Sequence, residues 1–387
     1  MKWETVKLGD VTDSCLGKML DQNKNKGTYQ PYLANINVRW GSFDLANLSE
    51  MRFEDHEQER FGLRYGDLVI CEGGEPGRCA IWKDEIPNMK IQKALHRVRV
   101  HDDMDYRYLF YWFLHAGKCG ALDQYFTGST IKHMPGDKLK TIEIENPPRH
   151  VQKHIADILS AYDDLIENNQ KQIKLLEEAA QRLYKEWFID LRFPGYETTP
   201  VVDGVPEGWH IGTLGEIIEY HDKKRKPLSS LERENFQGKY RYFGAAGVLD
   251  HVQDYLFDGT YLLLGEDGTV INNDGSPVLQ YVNGKFWVNN HAHVLTGNGA
   301  FTTEYIYMMF KNTKVSDVVT GVAQPKISQA RLSAKKVLIP DNKLVYCYSE
   351  RITSMMEKTL LLQSQIDNLK EARDRLLPKL MSGETEV

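Results

Sequence analysis

The sequence of 387 residues lacks several features that would assign it to common protein classes. No apolar run approaches the length of about 18 residues that indicates a membrane span. Its five cysteines include no C-x-x-C pair, so neither a disulfide framework nor a zinc knuckle is expected. The first residues, Met1-Lys2-Trp3-Glu4, lack the basic-then-apolar order of a signal peptide. We therefore expect a cytoplasmic protein with reduced thiols and no membrane partner.

An excess of positive charge is also missing. The chain has 48 basic and 54 acidic residues, which gives a formal net charge of −6. Proteins that coat nucleic acid without sequence preference are usually basic. Any nucleic-acid surface must therefore be a local concentration of Lys and Arg, or partner proteins must supply much of the phosphate contact.

Motifs for catalysis and cofactor binding are absent as well. No G-x-x-x-x-G-K-[ST] loop occurs, so no ATP-driven motor is predicted. Asn146-Pro147-Pro148-Arg149 resembles the motif of adenine methyltransferases, but it carries Arg149 where an aromatic ring must stack on the flipped base. Glu266-Asp267 leads into a glycine and favours a turn rather than a nuclease site. No catalytic residue and no bound cofactor are predicted.

Histidine pairs give no metal site either. His150 and His154 stand four residues apart on a predicted helix, but no third ligand is evident nearby, which favours a capping or surface role. His291 and His293 alternate on a predicted strand and would face opposite sides. We therefore predict no metal.

The sequence contains an internal repeat of two similar copies. LLEEAAQRLYKEWF at 175–188 and NLKEARDRLLPKLM at 368–381 match at an offset of 193, and the segment from Trp3 to Asp10 resembles that from Trp209 to Glu216 at an offset of 206. The offset falls from 206 at the start of the copies to 193 at their ends, so the interior of the second copy is 13 residues shorter. A fixed scaffold that carries a variable interior is the simplest explanation.

Each copy begins with a globular part, at 1–148 and 207–340. Apolar runs at 67–70, 95–100, 261–264 and 285–288, separated by Gly- and Asn-rich turns, predict short strands, and 105–116 predicts a helix. Each copy ends with a long amphipathic helix, at 149–189 and 341–383; 190–206 reads as a linker and 384–387 as a tail. Pro378 should end or kink the second helix. The predicted fold class is α+β: two globular mixed α/β domains separated by two long antiparallel helices that form a coiled-coil spacer, with pseudo-twofold internal symmetry.

The two helices carry apolar seams with steps of mostly three and four residues. The first seam includes Leu165, and Asn169 occupies a seam position where the heptad slips. An ordinary helical bundle would show similar seams. The residues predicted to lie between the two helices are Ile155, Tyr162, Leu176, Leu183, Trp187, Tyr348, Ile352, Ile366, Leu369 and Leu376.

Six segments then resemble one known family. EARDRLLPKLMSGE at 371–384 is similar to the usual ending of type I restriction–modification specificity subunits, and Pro206-Glu207-Gly208-Trp209 resembles the start of their second recognition domain. GDLVICEGG at 66–74, TGSTIKHM at 127–134, NNHAHVL at 289–295 and TGVAQPKIS at 320–328 resemble the framework of those domains. The resemblance covers essentially the whole chain, and the order and duplication of the motifs are its most specific feature.

The resemblance implies a non-catalytic, sequence-specific DNA-binding subunit. Each globular part would be a target-recognition domain that reads one half of a bipartite site on double-stranded DNA. The paired helices would set the unread spacer and dock two methylation subunits, and restriction subunits with translocase activity would complete the complex. S-adenosylmethionine, ATP and Mg would then bind only to those partners.

Candidate DNA contacts follow from residue chemistry, since Lys and Arg contact phosphates while Asn, Gln and Arg reach base edges. Asn35, Asn37 and Arg39 alternate with apolar residues and would share the exposed face of a strand, although a merely solvated face is equally consistent. The remaining candidates lie on predicted loops, where capping turns and solubilising runs are the alternatives: Ser129, Thr130, Lys132, Lys223, Lys224, Arg225, Lys226, Asn289, Asn290, Gln324 and Lys326.

Two other functional classes remain open from the sequence. One is a DNA adenine methyltransferase or nuclease with unrecognised motifs, and the other is a helical scaffold that binds only protein. The target bases and the spacer length do not follow from the sequence, because readout depends on loop geometry, DNA shape and bridging waters. The sequence also gives no answer on whether a cognate restriction subunit exists or the system is active.

Overall fold

A computed structural model describes residues 3–21, 25–321 and 323–385. The chain forms two compact units, one of residues 1–167 with 366–387 and the other of residues 168–365. Each unit therefore contains one globular part together with a half of each long helix. Within the described ranges, no helix is long and apolar enough to cross a membrane.

Unit 1 is built on a four-stranded antiparallel sheet in the order β2-β10-β7-β8. A second sheet has the order β6-β3-β9, and β1-β11 and β4-β5 are separate pairs. The strands are β1 (Thr5–Lys7), β2 (Thr12–Leu16), β3 (Thr28–Leu33), β4 (Val38–Arg39), β5 (Ser42–Phe43), β6 (Ser49–Phe53), β7 (Leu68–Cys71), β8 (Cys79–Ile81), β9 (Lys90–Ile91), β10 (Leu95–Val100) and β11 (Glu143–Glu145). The helices are α1 (Leu8–Val11), α2 (Gln58–Phe61), α3 (Tyr106–Lys118) and α4 (Gly136–Lys140).

The long helix α5 (Arg149–Tyr184) starts in unit 1 and continues into unit 2, where a π-helical turn over Lys185–Ile189 extends it. Gln152 donates hydrogen bonds to the Asn146 side chain and the Pro147 carbonyl, both at 2.9 Å. The Asn-Pro-Pro-Arg segment thus connects β11 to α5 and marks the boundary between the globular part and the long helix. His150 and His154 are exposed on the first turns of α5.

Unit 2 repeats this plan with a larger sheet, in the order β15-β20-β18-β19-β16-β17. The pairs β12-β13, β14-β23 and β21-β22 are separate. The strands are β12 (Val201–Val202), β13 (Val205–Pro206), β14 (His210–Thr213), β15 (Ile218–Tyr220), β16 (Gln237–Phe243), β17 (Val248–Val252), β18 (Phe257–Gly265), β19 (Leu279–Val288), β20 (Ala292–Gly297), β21 (Val319–Thr320), β22 (Lys326–Ile327) and β23 (Lys336–Ile339). The helices are α6 (Leu214–Ile217), α7 (Ser230–Glu234), α8 (Thr303–Lys311) and α9 (Gln329–Ala334). The long helix α10 (Asn342–Met381) starts in unit 2 and continues into unit 1.

The internal repeat is visible in the strand order. The run β2-β10-β7-β8 of unit 1 corresponds to β15-β20-β18-β19 of unit 2, and the pair β1-β11 corresponds to β14-β23. The aromatic helices α3 and α8 take equivalent places in their units. The last lysine of each pairs with an acid on a long helix, Lys118 with Asp374 at 2.6 Å and Lys311 with Glu177 at 3.3 Å.

Contacts within the units show that α5 and α10 pack antiparallel. In unit 1, Ile155 near the start of α5 shares a core with Leu377 near the end of α10. In unit 2, the hydroxyl of Tyr348 near the start of α10 donates a 3.3 Å hydrogen bond to the carbonyl of Ala180 in the later part of α5. The predicted fold class, with two globular parts and a pair of long packed helices, is confirmed.

Most of the predicted seam faces a core. Ile155, Trp187, Tyr348, Ile352 and Ile366 are buried. The half-buried members of the predicted set are Tyr162, Leu176, Leu183, Leu369 and Leu376. Helix α10 includes Pro378 and ends soon after it, at Met381. One detail differs from the predictions: Leu165 is 52% exposed while Ile166 is buried. A straight helix of 3.6 residues per turn drifts from a 3.5-residue repeat, so the next residue takes the buried position.

Candidate nucleic-acid interface

Two loops with a shared Thr-Gly start have the same geometry in both units. In unit 1, Thr127 and His133 exchange backbone hydrogen bonds of 2.8 and 2.9 Å. In unit 2, Thr320 pairs with Lys326 between β21 and β22. The threonine hydroxyl in each loop donates to the carbonyl that closes it, at 3.4 and 3.2 Å. The two loops are therefore structural equivalents at the offset of 193 found in the sequence.

The second residue of each loop is a glycine for a steric reason. Gly128 has φ +91° and Gly321 has φ +84°. A Cβ atom at Gly128 would lie 2.3 Å from the Ile131 carbonyl oxygen, and one at Gly321 would lie 2.4 Å from the Gln324 carbonyl oxygen. The loop therefore closes only over a residue without a side chain.

Substitution of Gly128 by alanine should open this loop. The left-handed backbone alone costs about 1 kcal/mol, and the contact with the Ile131 oxygen adds to it. Gly120→Ala is the matched control, because Gly120 has φ +73° but no atom within 4 Å of its added Cβ. In thermal unfolding, we expect Gly128→Ala to lower the midpoint more than Gly120→Ala does. Equal midpoints would show that the close approach carries no strain.

Each loop is held in its own unit by the same two kinds of hydrogen bond. The backbone N–H that follows the loop donates to a glutamate carbonyl at 2.8 Å, from Met134 to Glu72 in unit 1 and from Ile327 to Glu266 in unit 2. Nε2 of a buried histidine then contacts the carbonyl of the same residue, His96 to Met134 at 2.9 Å and His293 to Ile327 at 2.8 Å. Glu72 and His96 are thus the counterparts of Glu266 and His293.

The predicted strand through Asn35, Asn37 and Arg39 is wrong. Asn35–Asn37 forms a 3-10 turn, and only Val38–Arg39 is a strand. Asn37 is buried, where its side chain accepts from the Ala34 N–H at 2.9 Å and donates to the Asp44 carbonyl at 3.0 Å. An asparagine that bonds to nearby backbone groups favours a turn over a strand. Asn37 is therefore committed to the fold, and Ile36, expected inside, is 70% exposed.

Asn35 nevertheless lies beside the loop region of unit 1. Its side-chain nitrogen is 3.1 Å from the position that a Cβ of Gly74 would take, while Gly73 forms a β-bridge with His133. Arg39 is exposed and lies 3.6 Å from Asp44. Next to this turn a cavity of about 610 Å³ opens between an aromatic wall and the loop; its lining includes Trp40, Gly74, Phe126, Ser129, Thr130 and Lys132. Candidates from two sequence segments, Asn35 and residues 129–132, therefore lie next to the Gly73–Gly74 turn.

The four basic residues at 223–226 in unit 2 differ in exposure. Lys223, Lys224 and Lys226 are exposed. Arg225 turns inward, where its Nη1 atom lies 2.6 Å from a Glu266 carboxylate oxygen and donates to the Ala292 carbonyl at 2.7 Å. The exposed position predicted for Arg225 is therefore wrong, because a buried acid distant in sequence recruits the guanidinium.

Of the other candidates of unit 2, Lys326 contacts the same acid, Glu266. Asn289 is buried, and its side chain accepts from the His291 N–H at 2.9 Å, which makes it a turn residue. Asn290 and Gln324 are exposed. His291 lies 2.5 Å from Asp267, and the ammonium of Lys326 lies 3.1 Å from Glu266. Val322, inside this loop, lies outside the described residues.

A buried ionic cluster beneath the loop was missed in the sequence. Asp222, Glu266 and His293 bring donor atoms within 4.8 Å of one another, the spacing of a metal site. Arg225 and Lys326 already neutralise this group, so its carboxylates hold cations of the chain itself. A second such group, Glu54, His56 and Glu57, involves the buried Lys18, whose ammonium lies 2.5 Å from Glu57. The members of the Asp222 cluster come from separate segments, so their spacing in the sequence does not indicate the cluster.

His293 faces oxygen acceptors on both sides of its ring. Nδ1 lies 2.6 Å from Asp222, and Nε2 lies 2.8 Å from the Ile327 carbonyl. The ring therefore links Asp222 to the residue that follows the loop. In unit 1 the strand partner of His96 is Leu16 rather than an acid. There burial lowers the pKa of His96, and the ring donates a single bond from Nε2.

Unit 2 should lose stability in acid through Asp222. Burial opposes ionisation of Asp222, but hydrogen bonds from His293 and the Val294 N–H hold its pKa below the ordinary 3.8. A carboxyl group with a lowered folded pKa stabilises the fold above its unfolded pKa, and this contribution is lost as pH falls through the folded pKa. We expect the unfolding free energy of the wild type to fall more steeply between about pH 5 and pH 3 than that of Asp222→Asn.

The control for this pH series is Glu219→Gln, a change at an exposed position of β15. Its curve should follow that of the wild type. If Asp222→Asn also followed the wild type, the acid sensitivity would have to come from other groups.

Comparisons with known proteins agree with this architecture. A family model described as the type I restriction modification DNA specificity domain matches residues 1–178 and 206–359. The MjaIX type I restriction enzyme specificity subunit of Methanocaldococcus jannaschii is 27% identical over 375 residues, which cover 92% of this chain and 85% of that protein. The MjaVIII specificity subunit of the same organism is 23% identical and covers 100% of this chain and 93% of its own length.

The fold also has a solved counterpart. The S subunit of a type I restriction–modification system from M. genitalium superposes with a TM-score of 0.58 at 18% identity, covering 98% of this chain and 96% of that one. The chain therefore belongs to the type I restriction–modification DNA specificity family. It is the specificity subunit of a DNA-binding type I complex and is itself non-catalytic, while the cofactors of such systems reside on the methylation and restriction subunits. The predicted family, function and non-enzymatic role are confirmed.

Proposed function

We propose that the two globular parts, residues 1–148 and 207–340, each read one half of a bipartite target on double-stranded DNA. The observation that carries this proposal is the pair of equivalent loops. Both begin with Thr-Gly, both close over a glutamate carbonyl, and they differ in the side chains that they present. A constant support with variable exposed residues suits two readers of different half-sites.

Exposed cations near each loop supply phosphate contacts in this proposal. They are Arg39 and Lys132 in unit 1 and Lys223, Lys224 and Lys226 in unit 2. Base readout falls to the half-buried Asn35 and to exposed polar side chains, namely Ser129 and Thr130 in unit 1 and Asn290 and Gln324 in unit 2. Because the chain has a net charge of −6, the partner subunits add further phosphate contacts.

The paired helices set the unread spacer and dock two methylation subunits. Large apolar side chains on the helices that remain exposed support such docking; they are Leu165, Leu175, Tyr346 and Leu361. Restriction subunits with translocase activity complete the complex, and S-adenosylmethionine, ATP and Mg bind to those partners. Because its substrate is the DNA of the host, we place the complex in the cytoplasm.

Exchange of one globular part tests the assignment. Residues 1–148 are replaced by the corresponding part of another family member, and the chimera is co-expressed with its methyltransferase partner. We expect one half-site of the methylated motif to change while the other half-site and the gap stay the same. A motif that changes in both halves, or in neither, would contradict the proposal, and the reciprocal exchange of 207–340 should change only the opposite half.

A further inference from the structure

The two equivalent glutamates of the repeat have different surroundings. The carboxylate of Glu266 is occupied: Arg225 lies 2.6 Å from one oxygen and Lys326 lies 3.1 Å from the other. His293 approaches the first oxygen at 3.6 Å. Both carboxylate oxygens of Glu266 therefore face cations of the chain itself.

The Glu72 carbonyl also accepts the backbone N–H that follows its loop, but no cation pairs with the Glu72 carboxylate among the described residues. Its carbonyl accepts the Met134 N–H at 2.8 Å, as the Glu266 carbonyl accepts that of Ile327. Within the described parts of the chain, its half-buried carboxylate makes no hydrogen bond and no ion pair. The residue equivalent to Lys326 at the offset of 193 is His133.

Glu72 is followed by a turn of two glycines that polar side chains approach closely. Gly73 and Gly74 follow it, and their lack of side chains keeps the turn open. His133 lies against Gly73, since a Cβ there would be 2.9 Å from its Nδ1 atom. Asn35 lies against Gly74 from the other side. The carboxylate thus belongs to the same turn on which the candidate DNA contacts of unit 1 converge.

We propose that Glu72 determines specificity in the first half-site by accepting a hydrogen bond from the exocyclic amino group of a base, cytosine N4 or adenine N6. The inference rests on the proposed function of residues 1–148. An ionised carboxylate only accepts hydrogen bonds, so it pairs with an amino group and repels the keto oxygens of guanine and thymine. Near the phosphate backbone its charge is unfavourable, and this cost is offset only when an amino group lies opposite.

The substitution Glu72→Gln tests the proposal, because glutamine keeps the shape, loses the charge and gains a donor. The variant and wild type are each co-expressed with the partner methyltransferase in a host without other adenine methylation, and the methylated sites are mapped. In the wild type, one position of one half-site should require cytosine or adenine. In Glu72→Gln, methylation at sites with guanine or thymine there should rise about tenfold relative to the preferred sites. The base that the wild type requires separates the two amino groups.

The control is Glu143→Gln, which removes an exposed carboxylate of β11 in the same unit and should leave the motif unchanged. An unchanged motif in Glu72→Gln, or a uniform decrease across all sites, would overturn the role of Glu72. If Glu72→Gln does not assemble, Glu72→Asp serves instead: it should weaken methylation without relaxing the motif, and relaxation by Glu72→Asp would also overturn the proposal. A wild type with no bipartite motif would overturn the proposed function itself, and Glu72 with it.

Discussion

A four-residue insertion in each long helix is expected to widen the unread gap of the target by about two base pairs. Four residues add about 6 Å to a helix, and one base pair adds about 3.4 Å to the DNA. The insertions would follow Glu167 in α5 and precede Ile366 in α10, where the two compact units divide. Mapping of methylated adenines measures the gap.

The length of four residues is chosen to match rotation as well as rise. One insertion turns the helix by about 40°, and two base pairs turn the DNA by about 70°, so the mismatch is small. A four-residue insertion is also a natural slip in a heptad seam. An insertion in α5 alone should disturb pairing and lower methylation without giving a new gap. If the double insertion left the gap unchanged while methylation continued, the helices would not set the spacing.

Removal of the Arg373 guanidinium is expected to destabilise unit 1 strongly. Arg373 is paired with Asp163, which also accepts a 2.6 Å hydrogen bond from the Tyr111 hydroxyl. Both charged side chains are mostly buried, so Arg373→Ala leaves a carboxylate with one neutral donor. A fully buried broken pair costs about 3–5 kcal/mol, and partial exposure reduces this to about 2–3 kcal/mol. Denaturant unfolding measures the loss.

The repeat itself provides the compensating variant. At the offset of 193, Asp163 corresponds to Met356 and Arg373 to Ala180, both buried in the core of unit 2. Asp163→Met combined with Arg373→Ala and Tyr111→Phe should therefore recover at least half of the lost stability. Arg375→Ala, at an exposed position of the same helix, should change stability by less than about 0.5 kcal/mol. A loss in Arg373→Ala no larger than in Arg375→Ala would contradict the buried pair.

Periodic features of the fold could be predicted from the sequence. The strand predicted at 95–100 matches β10, and the helix predicted at 105–116 matches α3 within two residues. The repeat at the offset of 193 includes parts of both long helices, and the segments 127–134 and 320–328 contain both Thr-Gly loops. These features depend on local periodicity and on self-similarity, which a single sequence contains.

Features that depend on distant contacts could not be predicted. Asn37 looked like one member of an alternating strand, but its side chain bonds to the backbone of Ala34 and Asp44 and forms a turn. Arg225 looked like part of an exposed basic run, but Glu266, 41 residues away, draws it inside. The cluster around Asp222 has members from four separate segments. Burial and pairing of such groups follow from tertiary packing.

Mapping of the methylated adenines in host DNA, after co-expression of the wild-type chain with its partner methyltransferase, tests the central claim most directly. We predict a bipartite motif, two defined half-sites separated by a gap of fixed length, as expected from two recognition domains on one pair of helices. A short continuous motif, or no methylation despite a stable complex, would contradict the assignment of the two globular parts as separate readers of one target.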